Sequence, residues 1–381
     1  MRRHLPFDYA VRNLGRRPLR TLLTAAASGL VAALLVATTA FVRGLDKTFA
    51  GAAQENTAML LSNVAQRDVV RSRVNAGLGE IVRASVPGVV TTSGEVHMGI
   101  SVRLGASDGP VHPAFMRGVT DDAYVMHDAL TLVEGRLPMA GEAIVGRLAA
   151  SQMGAAPEDL ALGRELWLEG AQFTIVGRFA APGTTIEAEV WTPLAPLRGL
   201  VQRGDDSVLF VRMDSSDFAD LELFTARRLD LELVMIPTST YYRELTEYFG
   251  PIRRMAWFLA AMIAAAALFG GANTMGASVQ DRVRELATLR AMGYSGMALA
   301  RAIAQESVLI ACLGGLVGVA LARLFLVGNS VTLAMSAFSL DLDAVSILAG
   351  FAASVLLGLL GSGPAALRVS RLPIIEALAE N

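Results

Sequence analysis

Four stretches of this 381-residue chain are apolar for long enough to cross a bilayer. A crossing helix needs about 20 such residues at a rise of about 1.5 Å each. Residues 21–42, 255–278, 307–327 and 344–366 all reach that length, and only the third holds a charge, Arg323 near its far end. A side chain as long as arginine reaches the interface from such a position. The chain is 53% apolar and 18% charged, with mean hydropathy +0.47. That balance is too oily for an ordinary soluble domain, yet the middle is too polar for a bundle of spans alone. The first run is longer than the apolar part of a signal peptide, and FVRGLDK after it has no small-x-small cleavage site, so it reads as an uncleaved span.

The basic residues predict the orientation. Arg2, Arg3, Arg12, Arg16, Arg17 and Arg20 precede the first run; only Arg43 and Lys47 follow it closely. Arg282, Arg284, Arg290 and Arg301 lie between the second and third, and Arg368 and Arg371 follow the fourth. Residues 328–343 hold no basic residue, only Asp341 and Asp343. The expectation is a multi-pass protein of the bacterial inner membrane with both termini (1–20 and 367–381) and the 279–301 loop in the cytoplasm. Residues 43–252 then lie outside. Arg253 and Arg254 break the rule, but a large domain upstream weakens their weight.

Residues 43–252 read as a folded domain. EAIVG, ELWLEG, AQFTIVGRF and EAEVWTPL are short strand-like runs punctuated by Gly and Pro. DSVLFVRM, SSDFADLELFTARRL and DLELVMIP read as strand, helix and strand, the helix capped by Ser215, Ser216 or Asp217. LGEIVRASV reads as a helix before strand-like VVTTSGEVHMGISV. Two α/β pieces thus flank a β-rich insert near 115–200. The fold class is an α-helical membrane protein with four transmembrane helices and a large α+β extracytoplasmic domain between helices 1 and 2.

Catalytic signatures are sparse. Lys47 is the only lysine and stands in RGLDKTF, outside any GxxxxGK[ST] loop, so the chain lacks the means to hydrolyse ATP by the P-loop route. His97, His112 and His127 have no i, i+4 pairing and read as surface or interfacial histidines. There is no G-x-S-x-G. Glu134, Glu142, Glu187 and Glu189 read as solvated strand-turn glutamates. Cys312 is the sole cysteine, so the outer domain rests on its own core. The arginines gather beside apolar runs rather than along a soluble face, which argues against nucleic acid. No metal or cofactor is expected on this chain, and enzyme activity is set aside.

Small residues recur at four-residue spacing within the runs: Ala25, Gly29 and Ala33; Gly314 and Gly318; Gly350, Ser354 and Gly358. Such faces let membrane helices approach closely. Between the second and third runs, Val283, Leu286, Ala287, Leu289 and Met292 form a helical stripe flanked by Arg282, Arg284, Glu285 and Arg290. Gly293 would end that helix and Ser295 would cap the next. The pattern alone is compatible with a helix lying on lipid headgroups or with one touched by a partner.

RELATLRAMGYSGMALARAIAQESVLIACLGGLVGVALARL resembles the signature of MacB/FtsX-type (LolC/DevC-like) ABC transporter permeases. The family reads RE-x-G-x-LRA-hydrophobic-G, then a basic helix, then an ES or EA run ending in LGG-x-x-G. Arg284-Glu285, Leu289 to Gly293, Glu306-Ser307 and Leu313-Gly314-Gly315 match it; Ala287 and Tyr294 depart from it. YAVRNLGRRPLRTLLT resembles the family's N-terminal amphipathic helix, GEAIVGRLAASQMG through EVWTPL its periplasmic core, and SRLPIIEAL its C-terminal end. The resemblance implies a dimeric permease with a second copy or a paralogue, driven by an ATPase that binds the ATP and Mg and is carried on another polypeptide. It makes Arg282, Arg284, Glu285, Leu286, Leu289, Arg290, Ala291, Met292 and Gly293 the coupling helix seated on that ATPase. Motion would pass to the outer domain, which acts on an envelope substrate (lipoprotein, lipid, peptide or drug), with a periplasmic adaptor or membrane-fusion protein as a further partner. Two alternatives remain: an FtsX-like transmitter that activates a cell-wall hydrolase, and an envelope scaffold without an ATPase.

Overall fold

The computed structural model describes residues 7–16, 18–333, 336–340 and 342–371. Arg2, Arg3, Arg17, Asp341 and most of the SRLPIIEAL stretch lie outside them, as does the side chain of Arg20. In chain order the elements are α1 (Phe7–Arg16), α2 (Pro18–Ala52), β1 (Thr57–Ser62), β2 (Val74–Asn75), α3 (Leu78–Ser85), β3 (Val89–Leu104), β4 (Val111–Val119) and α4 (Asp122–Met126). There follow β5 (Thr131–Gly135), β6 (Glu142–Gly146), α5 (Ala149–Met153), β7 (Glu165–Leu168), β8 (Ala171–Ala180), β9 (Val190–Pro193), α6 (Leu194–Leu200), β10 (Asp205–Asp206) and β11 (Val208–Met213). The rest are α7 (Ala219–Arg227), β12 (Leu233–Pro237), α8 (Thr238–Tyr248), α9 (Gly250–Gln280), α10 (Val283–Ala291), α11 (Gly296–Leu326), β13 (Ser330–Leu333), β14 (Ser336–Ser339) and α12 (Ala344–Ser370).

The chain divides into two compact units, one of residues 1–42, 251–329 and 340–381, the other of 43–250 and 330–339. In the first, α9, α11, α12 and the Thr21–Ala52 part of α2 are long and apolar enough to cross a membrane. Each outruns its apolar stretch because polar ends continue the helix. α11 and α12 bury small residues against neighbours (Gly314, Gly315, Gly318; Gly350, Ser354). α9 is different: Phe258 and Phe269 are 63% and 74% exposed, and most of its length is uncovered.

The second unit is built on one ten-stranded sheet, its main path running β12-β1-β11-β3-β4-β9-β6-β8-β5, with β7 paired to β3 and β8. Successive strand residues face opposite sides, and the burial follows that period. Ala58 and Leu60 of β1 and Leu209 and Val211 of β11 pack with Leu78 and Val82 of α3 and Leu221 and Phe224 of α7. Met59, Leu61, Val208 and Phe210 face the other way, toward Val69, Met126 and Ile236. Each fully buried side chain of this kind contributes about 1.5–3 kcal/mol.

β3 belongs to both parts of the sheet. Its first half pairs with β11, and from Val96 onward it pairs with β4. The β-rich part therefore starts at Val96 rather than near residue 115, because a 16-residue strand is shared instead of the chain leaving one sheet for another. α7 has no side-chain cap at its N-cap, Phe218; Asp217 Oδ1 instead accepts the Ala219 N–H at 3.0 Å, a local turn before the helix. β13 and β14 pair antiparallel in the second unit, with Ala337 and Phe338 buried.

Candidate functional site

The elbow that follows α9 is held from within. Glu306, only 8% exposed on α11, accepts from Arg282 Nη2 at 3.1 Å and from Asn13 Nδ2 of α1 at 2.8 Å. The same Arg282 nitrogen reaches Ser278 Oγ at 2.7 Å, so one guanidinium links the end of α9 to α11 just ahead of α10. Arg16 of α1 approaches Glu285 of α10 at 3.3 Å, a mostly exposed pair that contributes little by itself. The Glu306-Ser307 pair was noticed as a sequence motif, but its role as an internal anchor was not readable from it.

α10 divides the predicted coupling residues between two faces. Leu286 and Ala287 are buried, and Leu289 packs half-buried with them on Met275, Val279, Leu299 and Ile303. Leu289 therefore serves this chain's own core and is a poor probe of a partner. Arg284, Thr288, Ala291 and Met292 fall at i, i+4, i+7 and i+8 on the exposed side. Arg290 and Glu285 are intermediate in exposure. Gly293 follows the helix at φ +93°, donating to Arg290 O at 3.0 Å while Tyr294 donates to Leu289 O at 3.2 Å. That is a Schellman closure, which needs the left-handed conformation glycine adopts at no steric cost. Ser295 Oγ then accepts the Ala298 N–H at 3.2 Å and starts α11.

The small-residue positions meet one another. A Cβ added to Gly29 would lie 2.8 Å from Gly314 O, and one on Gly318 would run into Gly29. Gly350 faces Ala32 and Val36 of α2; Gly358 faces Ser307 and Ala311 of α11. Ser354 Oγ donates to Ala311 O at 3.0 Å, which satisfies a buried hydroxyl where backbones approach.

The second unit holds a buried ionic cluster where surface groups were expected. Glu95 and His97 share one face of β3, Arg117 of β4 lies opposite His97, and Trp191 of β9 lies beside Arg117. Arg117 donates to Glu189 from Nε and Nη2, both at 2.7 Å, and to Glu95 from Nη1 at 2.9 Å. Glu95 also meets His97 Nε2 at 3.0 Å and His127 Nε2 at 2.8 Å. All five are less than 10% exposed. The reading of His97 and His127 as surface residues fails because the sheet places them on a covered face; His112 is half-buried with Nδ1 3.0 Å from Met153 O. Glu187 and Glu189 are 2% and 3% exposed, Glu187 pairing with Arg147 at 2.9 Å, whereas Glu134 is exposed and Glu142 pairs with Arg136. Charged residues inside uninterrupted strand runs (SGEVH, FMRGV) were the available signal.

The electrostatics follow from that packing. Burial works to raise Glu95, but His127, Arg117 and the hydrogen bonds it accepts outweigh it and hold its carboxyl well below the usual range. Burial and Arg117 both push His97 down, toward the neutral imidazole. Arg117, despite burial, is pushed further up by Glu189 and Glu95 and stays charged. Among the described residues no three His, Cys, Asp or Glu groups are placed to hold a metal ion.

The model for the FtsX-like permease C-terminal matches residues 257–374, and that for the MacB-like periplasmic core domain matches residues 21–226. The chain belongs to the MacB/FtsX-type ABC transporter permeases. It is 27% identical over 230 residues to the macrolide export ATP-binding/permease protein MacB of Shewanella sp. (strain ANA-3), a match covering 58% of this chain and 35% of that protein. It is 27% identical over 257 residues to the pyoverdine export ATP-binding/permease protein PvdT of Pseudomonas putida, covering 63% and 38%. The matches thus span little more than a third of those relatives. The crystal structure of the periplasmic region of MacB from Actinobacillus actinomycetemcomitans aligns with 51% of this chain and 94% of its own at TM-score 0.39 and 11% identity.

Proposed function

We propose that this chain is the membrane subunit of an exporter or extractor of an envelope substrate, moved by an ATP-binding partner that seats on α10. The partner's nucleotide chemistry lies outside these residues, and ATP and Mg would be bound there. The observation that carries the reading is the division of α10: one face is locked into the bundle by Leu286, Ala287 and the adjoining Arg282–Glu306 pair, while Arg284, Thr288, Ala291 and Met292 face outward. A rigidly mounted helix with an outward face transmits a push; a loosely tethered one absorbs it. The exposed length of α9 suits a second copy or a paralogue beside it. In this reading α10 and both termini face the cytoplasm, and the second unit works outside.

The test is purification from native membranes in mild detergent, with every stoichiometric partner identified by mass spectrometry. Recovery of an ABC ATPase that is lost in Met292→Asp supports the reading. A preparation free of any ATPase overturns it in favour of an envelope scaffold. An ATPase recovered together with a cell-wall hydrolase redirects it to a transmitter that switches that enzyme.

A further inference from the structure

The second unit contains a cavity of about 330 Å³, at the small end of the range for ligand pockets. Its walls come from the end of α2, the segment after β1, the covered face of β3 and β4, and α8. They are largely aromatic. Phe49 and Phe249 stack at 5.4 Å with planes 7° apart, Tyr241 and Tyr242 meet edge-on at 5.3 Å, and Phe115 sets against His97 at 5.9 Å. The floor is the ionic cluster: Arg117, Glu189 and His97 line the space, and Asp68 lines it as well.

The charges decide what such a space accepts. Arg117 is the one lysine or arginine in the lining, and all three of its nitrogens already donate to Glu189 or Glu95. It has little left to offer an incoming anion. Glu95 and Glu189 share that single guanidinium. Asp68 adds another carboxylate, partnered by the exposed Arg71 at 3.3 Å. An anionic ligand would meet carboxylates in a desolvated space, whereas aromatic faces and carboxylates both attract a cation.

We infer that this cavity binds a small hydrophobic cation, an amine whose apolar body lies among the aromatic side chains and whose ammonium is received by Glu189 and the ring faces. The inference concerns the second unit only and needs no ATPase, so it stands or falls separately from the proposed function.

The test uses the full chain in a neutral maltoside detergent and isothermal titration calorimetry. The probes are 2-(1-naphthyl)ethylammonium and 1-naphthylacetate, which share a ring system and differ in the sign of the charge. The expected result is saturable one-to-one binding of the ammonium, at least about tenfold tighter than the carboxylate. Leu245→Trp and Val70→Trp, which fill the cavity from different walls, should each abolish it. No saturable binding of the ammonium, equal binding of the carboxylate, or undiminished binding in a cavity-filling variant that melts like the parent would overturn the inference.

Discussion

Arg282 Nη2 and Glu306 Oε2, on residues 24 apart in sequence, lie 3.1 Å from each other, with side chains 13% and 11% exposed. The pair stands where α9, α10 and α11 converge, and Asn13 of α1 shares its carboxylate. Removing one partner would leave the other polar group largely buried and unmatched, which costs more than the bond itself contributes.

Glu306→Ala is accordingly expected to destabilise the bundle by about 1–3 kcal/mol. Thermal unfolding in detergent measures it, and the exchange Arg282→Glu with Glu306→Arg should recover part of the loss. A bundle that melts unchanged in Glu306→Ala would show that the pair is incidental.

Leu289 and Met292 should separate stability from partner binding. Leu289→Asp places a charge against Met275 and Val279 and is expected to lower the melting temperature by several degrees. Met292→Asp, at a residue 54% exposed, is expected to leave melting unchanged while reducing copurification of the ATPase at least about tenfold, roughly 1.4 kcal/mol. The reverse pattern would assign the binding face to the other side of α10.

Gly29→Ile should disrupt the bundle, since even a Cβ there meets Gly314 O at 2.8 Å. Gly270→Ile is the matched control, because a Cβ at that site meets nothing within 4 Å. Overpacking of this kind costs about 1–3 kcal/mol. Equal melting temperatures for the two variants would dismiss the close approach of α2 and α11.

Acid should weaken the second unit in two stages. His97 is held below its ordinary 6.5, so the unfolded chain takes up its proton first and stability falls as pH drops below about 6.5. Glu95 is held well below 4.5, so its contribution is present above that value and is lost as pH falls toward its depressed folded value. Hydrogen exchange of β3 and β4 against pH reads both stages. His97→Gln should remove its share of the first and leave the second; an exchange profile flat between pH 7 and 5 would refute the linkage.

The sequence made different levels of this structure legible to different degrees. Apolar runs reveal long helices because a bilayer-length helix needs little besides its own composition, and the stripe from Val283 to Met292 reveals α10 because its period is local. The Gly29–Gly314 approach was foreshadowed only as a pattern, since the partner of a small-residue face is not written beside it. His127 and Glu189 were misjudged for the same reason, and nothing in the sequence singled out their partners Glu95 and Arg117. They come from four separate segments, and what made each a buried partner rather than a solvated surface group was strand order.

The hairpin at 330–339 has a practical consequence. Phe338 is buried, its ring about 3 Å from where a Cβ on Gly44 would stand, and β14 packs on the turn at Thr185–Ala188. A secreted fragment cut at residues 43 and 250 omits that hairpin and bares an apolar seat. Such a fragment is expected to be sticky in solution for reasons unrelated to any natural partner. Grafting 330–339 back through a flexible linker should restore its solubility.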